Sequence, residues 1–294
     1  MKELLILSGK GGTGKTTLAA AFIHLAQART YADCDVDAPN LHLIAGHKGQ
    51  PRLQPFYGLP KAQIDPLLCT ACDLCRQHCR FGAIQEGESY SVNPFLCEGC
   101  AVCDLVCPAG AVTLVPAVSG DRMLYKEGGT VFSTARLRMG NGMSGLLVSE
   151  VKKVMRQEAV DGTFAILDGS PGIGCPVIAS LSAVHMVLVV AEPSVAGISD
   201  MERIVDTAMK LGVRIAVCVN KYDTNPAMSQ AIEDFCQKEG LAFMGRIPYD
   251  PEVMRAVNQG LSIAEVDCPA GRAAREVYGR TMEEFLEEEN GGQG

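Results

Sequence analysis

Lys2-Glu3-Leu4-Leu5-Ile6-Leu7-Ser8-Gly9-Lys10-Gly11-Gly12-Thr13-Gly14-Lys15-Thr16-Thr17 decides the fold of this chain. Leu4 to Leu7 form an unbroken apolar run, the habit of a strand buried on both faces of a parallel sheet. A glycine-rich loop follows and runs straight into a helical stretch. Strand, Gly-x4-Gly-Lys-Thr loop and helix, in that order, make a phosphate-binding loop. Backbone N–H groups of Gly11, Gly12, Thr13 and Gly14 are expected to cradle phosphates at the helix N-terminus. Lys15 should reach the β- and γ-phosphates, and the Thr16 hydroxyl should bind Mg²⁺, with Thr17 beside it.

Outward from the loop, apolar runs alternate with helical stretches. That rhythm predicts an α/β fold, a mostly parallel sheet wrapped by helices. Strands are expected at 3–8, 29–34, 163–167, 184–191, 213–219 and 242–246, and helices at 15–28, 145–159, 198–211, 227–239 and 270–288. Gly128-Gly129 between 122–126 and 130–134 predicts a hairpin. The acidic, glycine-rich tail from Glu283 is expected to fray.

The rhythm breaks in the middle, where two identical cysteine runs sit: Cys69-x2-Cys72-x2-Cys75-x3-Cys79 and Cys97-x2-Cys100-x2-Cys103-x3-Cys107. The second copy lies 28 residues after the first. The repeat extends beyond the cysteines: Ile64-Asp65-Pro66 matches Val92-Asn93-Pro94, and Gly82-Ala83-Ile84 matches Gly110-Ala111-Val112. Two copies of one unit predict a small α+β module with pseudo-twofold symmetry. Its limits fall near Pro60 and Pro116, which divides the chain into 1–59, an insertion at 60–116, and 117–294. The spacing suits two [4Fe-4S] clusters. Zinc held by Cys-x2-Cys pairs does not need the third and fourth cysteines, repeated. Clusters with a purely structural task are the other alternative.

Net charge is -8, from 34 acidic and 26 basic residues. That weighs against nonspecific nucleic-acid or anionic-membrane binding. No apolar run reaches the length of a membrane span. The first residues read as a core strand rather than a signal peptide. Thirteen cysteines could mean a secreted disulfide scaffold. Eight in cluster spacing, with Cys34, Cys175, Cys218, Cys236 and Cys268 scattered, favour a reducing cytoplasm. His24, His42, His47, His78 and His185 form no ligand pattern.

The central module resembles bacterial two-cluster ferredoxins. In that pattern the fourth cysteine of each run ligates the other cluster. The resemblance therefore assigns Cys69, Cys72, Cys75 and Cys107 to one cluster, and Cys79, Cys97, Cys100 and Cys103 to the second. Pro108 fits the pattern, while Arg80 stands where the first run would have proline.

Outside the insertion, Lys10-Gly11-Gly12-Thr13-Gly14-Lys15-Thr16 resembles the deviant Walker A loop of the MinD/ParA/Mrp ATPases. That group includes the nitrogenase iron protein and iron–sulfur scaffold ATPases. The resemblance implies ATP and Mg²⁺ as ligands. It also implies a dimer closed by ATP, with Lys10 reaching the partner's nucleotide. Asp33-Cys34-Asp35-Val36-Asp37 is similar to the family's switch I, so Asp35 or Asp37 would orient water and metal. Asp168-Gly169-Ser170-Pro171-Gly172 is similar to switch II, with Asp168 on Mg²⁺ through water. Asn220 resembles the base-binding asparagine, and Ile247-Pro248-Tyr249-Asp250 resembles the family's loop over adenine, which implies nucleotide contacts for Pro248 and Asp250. Asp223 leaves GTP open as a ligand. Cysteines near the switches, Cys34 and Cys175, could bridge a cluster across a dimer; small buried residues are the plainer reading.

MinD-type ATPases with an inserted ferredoxin module form a recognisable subgroup, some encoded with orange-type proteins that bind metal–sulfur clusters. The resemblance implies an ATPase that couples nucleotide state to electron transfer or metallocluster handling. Its partners would be a second copy or a paralogue, and a protein carrying a redox or metal centre. Two alternatives stand beside it. One is a nucleotide-switched regulatory or positioning protein with redox-sensing clusters. The acidic Glu283–Glu289 end argues against a membrane-positioning helix. The other is a scaffold or carrier of iron–sulfur clusters.

Overall fold

The computed structural model describes residues 1–287 apart from 47, 48, 88, 141, 161 and 163. The phosphate-loop strand β1 (Lys2–Leu7) lies in the middle of a nine-stranded sheet. The other strands of that sheet are β2 (Thr30–Asp33), β3 (Arg52–Tyr57), β8 (Val118–Glu127), β9 (Thr130–Leu137), β10 (Phe164–Asp168), β11 (Met186–Ala191), β12 (Arg214–Asn220) and β13 (Ala242–Ile247). Their order is β13-β12-β11-β1-β10-β2-β9-β8-β3. Pairing is parallel from β13 to β9 and antiparallel from β9 through β8 to β3.

Helices cover both faces. Strand side chains alternate between faces, and β1 shows it directly. Leu4 and Ile6 join one core with α1 (Lys15–Ala26) and α10 (Pro269–Leu286). Leu5 and Leu7 join the other with α5 (Ser144–Glu158), α6 (Cys175–Leu181), α7 (Val195–Lys210) and α8 (Pro226–Glu239). The chain passes from β1 to the far side of β10 and returns, so the strand order reverses beside β1. Open α/β sheets bind ligands at such a point, beyond the carboxyl ends of the strands.

The expected hairpin is present, longer than the sequence suggested. Gly128 and Gly129 both have positive φ, and Glu127 pairs with Thr130. Both central residues at φ > 0 match the right-handed twist of the flanking strands. Outside the insertion, β3, α2 (Leu41–Ile44), α6 and α9 (Pro251–Asn258) went unpredicted, and two of these show why. One is β3, whose Arg-Leu-Gln-Pro-Phe-Tyr sequence is almost wholly exposed. Pro55 is tolerated because β3 is an edge strand. The other is α9 (Pro251–Asn258), capped by Asp250. Fraying from Glu283 is corrected as far as Leu286. Phe285 is fully buried edge-on to Phe164, and Arg214 donates to the carbonyls of Glu284 and Phe285. Residues from Glu288 onward, Thr163 and His47 lie outside the described residues.

Between β3 and β8 the chain leaves the main sheet. β4 (Lys61–Ile64) pairs with β7 (Val112–Val115), and β5 (Ile84–Gln85) pairs with β6 (Ser91–Val92). Short helices α2 (Leu41–Ile44), α3 (Leu74–Gln77) and α4 (Val102–Leu105) complete the elements; the latter two belong to the cysteine runs. Symmetry shows in the hydrogen bonds. Asp65 N–H donates to Ala111 O at 2.8 Å, and Asn93 N–H donates to Ala83 O at 2.7 Å. Left-handed residues repeat as well: Ala71 and Gly99, Asp73 and Ala101, Gly82 and Gly110.

Candidate functional site

The phosphate loop closes around charged groups at the carboxyl ends of β1, β2 and β10. Lys15 Nζ donates to Asp168 Oδ1 at 2.5 Å and lies 3.3 Å from Thr16 Oγ1. Burial alone would lower the Lys15 pKa, but the Asp168 carboxylate against it raises it, so the ammonium stays charged. Asp33 is fully buried and accepts N–H bonds from Asp35, Asn40 and Leu41 at 2.9, 3.0 and 3.0 Å. It thereby folds the whole 33–41 turn around one carboxylate. Burial, and then the Asp168 charge, hold Asp33 well above the ordinary carboxylate range. Asp35 is half-buried and raised for the same first reason, with Lys15 opposing. Asp37 is exposed on the outer side of the turn.

The two segments that flank the loop are tied together. Cys34 N–H donates to Asp168 O at 2.7 Å, and the Ser170 hydroxyl donates to Cys34 O at 2.5 Å. Gly172 N–H donates to Ser8 O at 3.1 Å, which ties the 168–172 segment to the start of the loop. Neither segment can shift without stretching bonds to the other.

Three carboxylates thus face one buried ammonium, and two polar atoms here, Asp168 Oδ2 and Thr13 Oγ1, are buried without a hydrogen-bond partner. Leaving such atoms unmet costs about 1–3 kcal/mol each. An acidic cluster with an unmet carboxylate oxygen beside a hydroxyl suits a hydrated divalent cation. The donor set Thr16, Asp35 and Asp168 fits Mg²⁺, and the loop amides fit a triphosphate.

Beside the loop lies a cavity of 220 Å³, lined by Gly12, Gly14, Thr17, Leu18, Asn220, Lys221, Ile247, Pro248, Tyr249, Asp250 and neighbouring apolar residues. Its size and mainly apolar walls suit a purine ring. Asn220 and Pro248 stand on that wall. Asn220 also braces the loop: its Nδ2 donates to Thr13 O at 2.6 Å and lies against Gly14, whose φ of 91° is left-handed. Asp250 is occupied elsewhere. Its carboxylate accepts from Glu252 N–H and Ala270 N–H, capping α9 and joining it to α10. Asp223 likewise accepts Tyr249 N–H at 2.7 Å.

Lys10 lies apart from Lys15. Its Nζ pairs with Glu192 at 2.6 Å and lies 3.4 Å from Ser194 Oγ. Asp33, Glu192 and Lys221 are the residues that sequence reasoning left without a role. Asp33 begins the Asp-x-Asp turn, so a signal existed. Glu192 follows β11 as an isolated acid and carried none.

The cysteine runs form two groups. Cys69, Cys72, Cys75 and Cys107 line one cavity, with Thr70, Asp73 and Tyr90. Cys79, Cys97, Cys100 and Cys103 line a second, with Phe81, Ile84, Val102 and Leu114. In each group the fourth cysteine comes from the other run. Ala62 N–H points at Cys97 Sγ at 3.5 Å and Ala111 N–H at Cys107 Sγ at 3.3 Å. Among the described residues, no three His, Cys, Asp or Glu side chains converge tightly enough for a single metal ion. Of the other cysteines, Cys34, Cys218, Cys236 and Cys268 are buried, and burial pushes Cys34 and Cys218 up to about 12. Cys34, Cys218 and Cys236 behave as small apolar residues, while Cys268 Sγ accepts Gly271 N–H at 3.3 Å and caps α10. Cys175 is exposed at the start of α6.

The second cavity is the one nearer the main sheet. Gly99 packs against Leu59 and Pro60, the Phe95 ring lies against Gly140, and Glu98 reaches toward Gly142. A few residues on, Gly145 at the start of α5 touches Cys175 so closely that a Cβ there would sit 3.1 Å from the Cys175 Cβ. From the other side, Leu137 N–H donates to Val36 O at 2.8 Å, and Arg138 N–H donates to Ser119 O at 2.9 Å, at the root of the module.

A doubly wound sheet with a phosphate loop at its switch point defines a P-loop nucleotide-binding protein. The chain belongs to the CobQ/CobB/MinD/ParA nucleotide-binding family, whose description matches residues 4–263. It is 28% identical to an uncharacterised protein of Methanocaldococcus jannaschii, over 97% of each chain. It is 23% identical to an iron–sulfur cluster carrier protein of Pyrococcus abyssi, over 97% of this chain and 87% of that one. Its fold matches McdA of Cyanothece, solved in complex with ATP, with a TM-score of 0.56, 18% identity and 98% of both chains covered. Among the described residues, no helix is long and apolar enough to cross a membrane.

Proposed function

We propose that the chain is a Mg²⁺-dependent ATPase that holds two [4Fe-4S] clusters and couples its nucleotide state to electron transfer or metallocluster handling with a partner protein. The observation that carries this reading is the sorting of eight cysteines into two groups of four, each completed from the opposite run. Supporting it are the N–H groups aimed at the Cys97 and Cys107 sulfurs. Three non-glycine residues, Ala71, Asp73 and Ala101, hold left-handed backbone in these loops. Such conformations cost about 1–2 kcal/mol each and persist where something else compensates.

Clusters bound there would supply one-electron chemistry. The chain's own residues would do the rest. The loop amides and Lys15 bind and orient the triphosphate, and Asp35 holds the attacking water against it. Asp168 and Thr16 would hold the cation, and Lys15, which the structure pairs with Asp168, would turn to the phosphates. Because Ser170 and Cys34 tie the two switch segments together, they answer the γ-phosphate as one unit. From the first segment Val36 O accepts Leu137 N–H, next to Arg138, which is bonded to Ser119; just after the second, Cys175 packs against Gly145, close in sequence to Gly140 and Gly142. ATP would close two copies face to face, with Lys10 reaching the partner's nucleotide.

The test is anaerobic electron paramagnetic resonance of the reduced protein with and without Mg-ATP. The expected result is two [4Fe-4S] signals, at least one shifted by Mg-ATP, with Lys15→Ala insensitive to nucleotide. Absence of both signals from anaerobically prepared protein would rule the reading out. A second reading, a carrier of clusters for other proteins, is favoured by the likeness to the Pyrococcus carrier. It predicts a labile cluster beyond the eight cysteine ligands, transferable to an apo-ferredoxin.

A further inference from the structure

Glu192 stands where two lysines of the nucleotide site meet. Lys10 Nζ is 2.6 Å from Glu192 Oε2, and Lys221 Nζ is 3.5 Å from Oε1. Lys221 also donates to Gly12 O at 2.8 Å, so it is fixed to the phosphate loop from above. Lys10 has no comparable anchor, only the 3.4 Å approach to Ser194 Oγ. Its side chain is about a third exposed, whereas that of Glu192 is mostly covered. One carboxylate therefore carries two cations, one anchored elsewhere and one free to leave.

We infer that Glu192 is a positioning residue that folds Lys10 back onto its own subunit, and that Lys221 takes over the carboxylate when Lys10 departs. This rests on the reading of Lys10 as the lysine that reaches a second copy's nucleotide. The chemistry makes departure feasible. Without Lys221, withdrawal of Lys10 would strand a partly buried carboxylate beside incoming phosphates. With Lys221 at 3.5 Å, a small approach restores the pair, and the charge of the site stays balanced. The phosphates of a second copy's nucleotide are the stronger acceptor for Lys10, being multiply charged. Glu192 thus sets a threshold: Lys10 leaves only when a nucleotide-loaded partner offers more than one carboxylate does.

Two variants should move the same equilibrium in opposite directions, which a general loss of packing would not do. Glu192→Gln keeps the shape and removes the charge, so Lys10 is freed. Lys221→Met keeps Lys10 paired and removes the successor cation. Sedimentation velocity in Mg-ATP should show Glu192→Gln associating at a concentration about two- to fivefold lower than the unaltered protein, the size expected for a partly exposed ion pair. Lys221→Met should associate only at higher concentration. Reversed or equal shifts would overturn the inference. Amine labelling of the nucleotide-free protein, read by mass spectrometry, tests the contact without any dimer. Lys10 should label faster in Glu192→Gln by a similar factor, and unchanged labelling would overturn the inference. Should no variant associate with ATP while Lys10 labelling still rises, the dimer reading fails and the Glu192 contact stands.

Discussion

The nucleotide site and the cysteine module are built in opposite ways. The first is assembled by its own chain. Buried strands hold Asp33, Lys15 and Asp168, and each finds partners within the protein. The module has two sheets of two strands and a core of a few small or isolated residues: Ala62, Ala83, Cys97 and Val112 in one patch, Cys75, Ile84 and Tyr90 in another. So few apolar side chains seldom hold a fold alone, and small domains of this kind rely on metals or cross-links. The lesson is that the sheet holds its site on a large core of its own, while the module has little core with which to hold its cysteines.

Removing the proposed clusters should therefore separate the two regions most sharply. Anaerobic chelation of iron should abolish amide protection across 61–115, while β1, β10 and β11 keep theirs in hydrogen exchange. Equal retention in both regions would break the comparison. Next in size, Asp168→Ala leaves Lys15 charged and buried. Urea unfolding should show a loss of about 3–5 kcal/mol, the range for breaking a buried pair. Adding Lys15→Met should recover much of it. Ser170→Ala removes one hydrogen bond to Cys34 O and should cost about 1 kcal/mol, while loosening the link between the switch segments. The smallest effect belongs to the module. Ala71→Gly relieves left-handed backbone at the position where the other half already has Gly99, and should raise module stability by about 1 kcal/mol or less.

The same division governed what could be read from the sequence. Leu4–Leu7 with the glycine loop announced the central strand, because burial on both faces demands an apolar run. The 28-residue repeat announced the two matching halves, because copies of one sequence unit fold alike, as in Asp65–Ala111 and Asn93–Ala83. β3 was illegible, since an exposed edge strand shows neither an apolar run nor clean alternation. Glu192 was illegible for another reason: its meaning is a meeting with Lys10, distant in sequence, which only the fold creates. Asp250 carried a signal for one role, and the fold added another. The resemblance suggested a ligand contact; Asp250 lines the cavity, and its two carboxylate oxygens also accept Glu252 N–H and Ala270 N–H, which the sequence did not announce.

The central claim is that nucleotide state reaches the cysteine module through the loop beside Phe95 and Glu98. Hydrogen exchange with and without Mg-ATP, on the cluster-loaded protein, tests it most directly. Peptides covering 95–101 and 139–146 should change protection together with the phosphate loop, while 65–75, around the farther cavity, should respond least. A response confined to the phosphate loop and the 33–41 and 168–175 segments, with the module silent, would contradict the account.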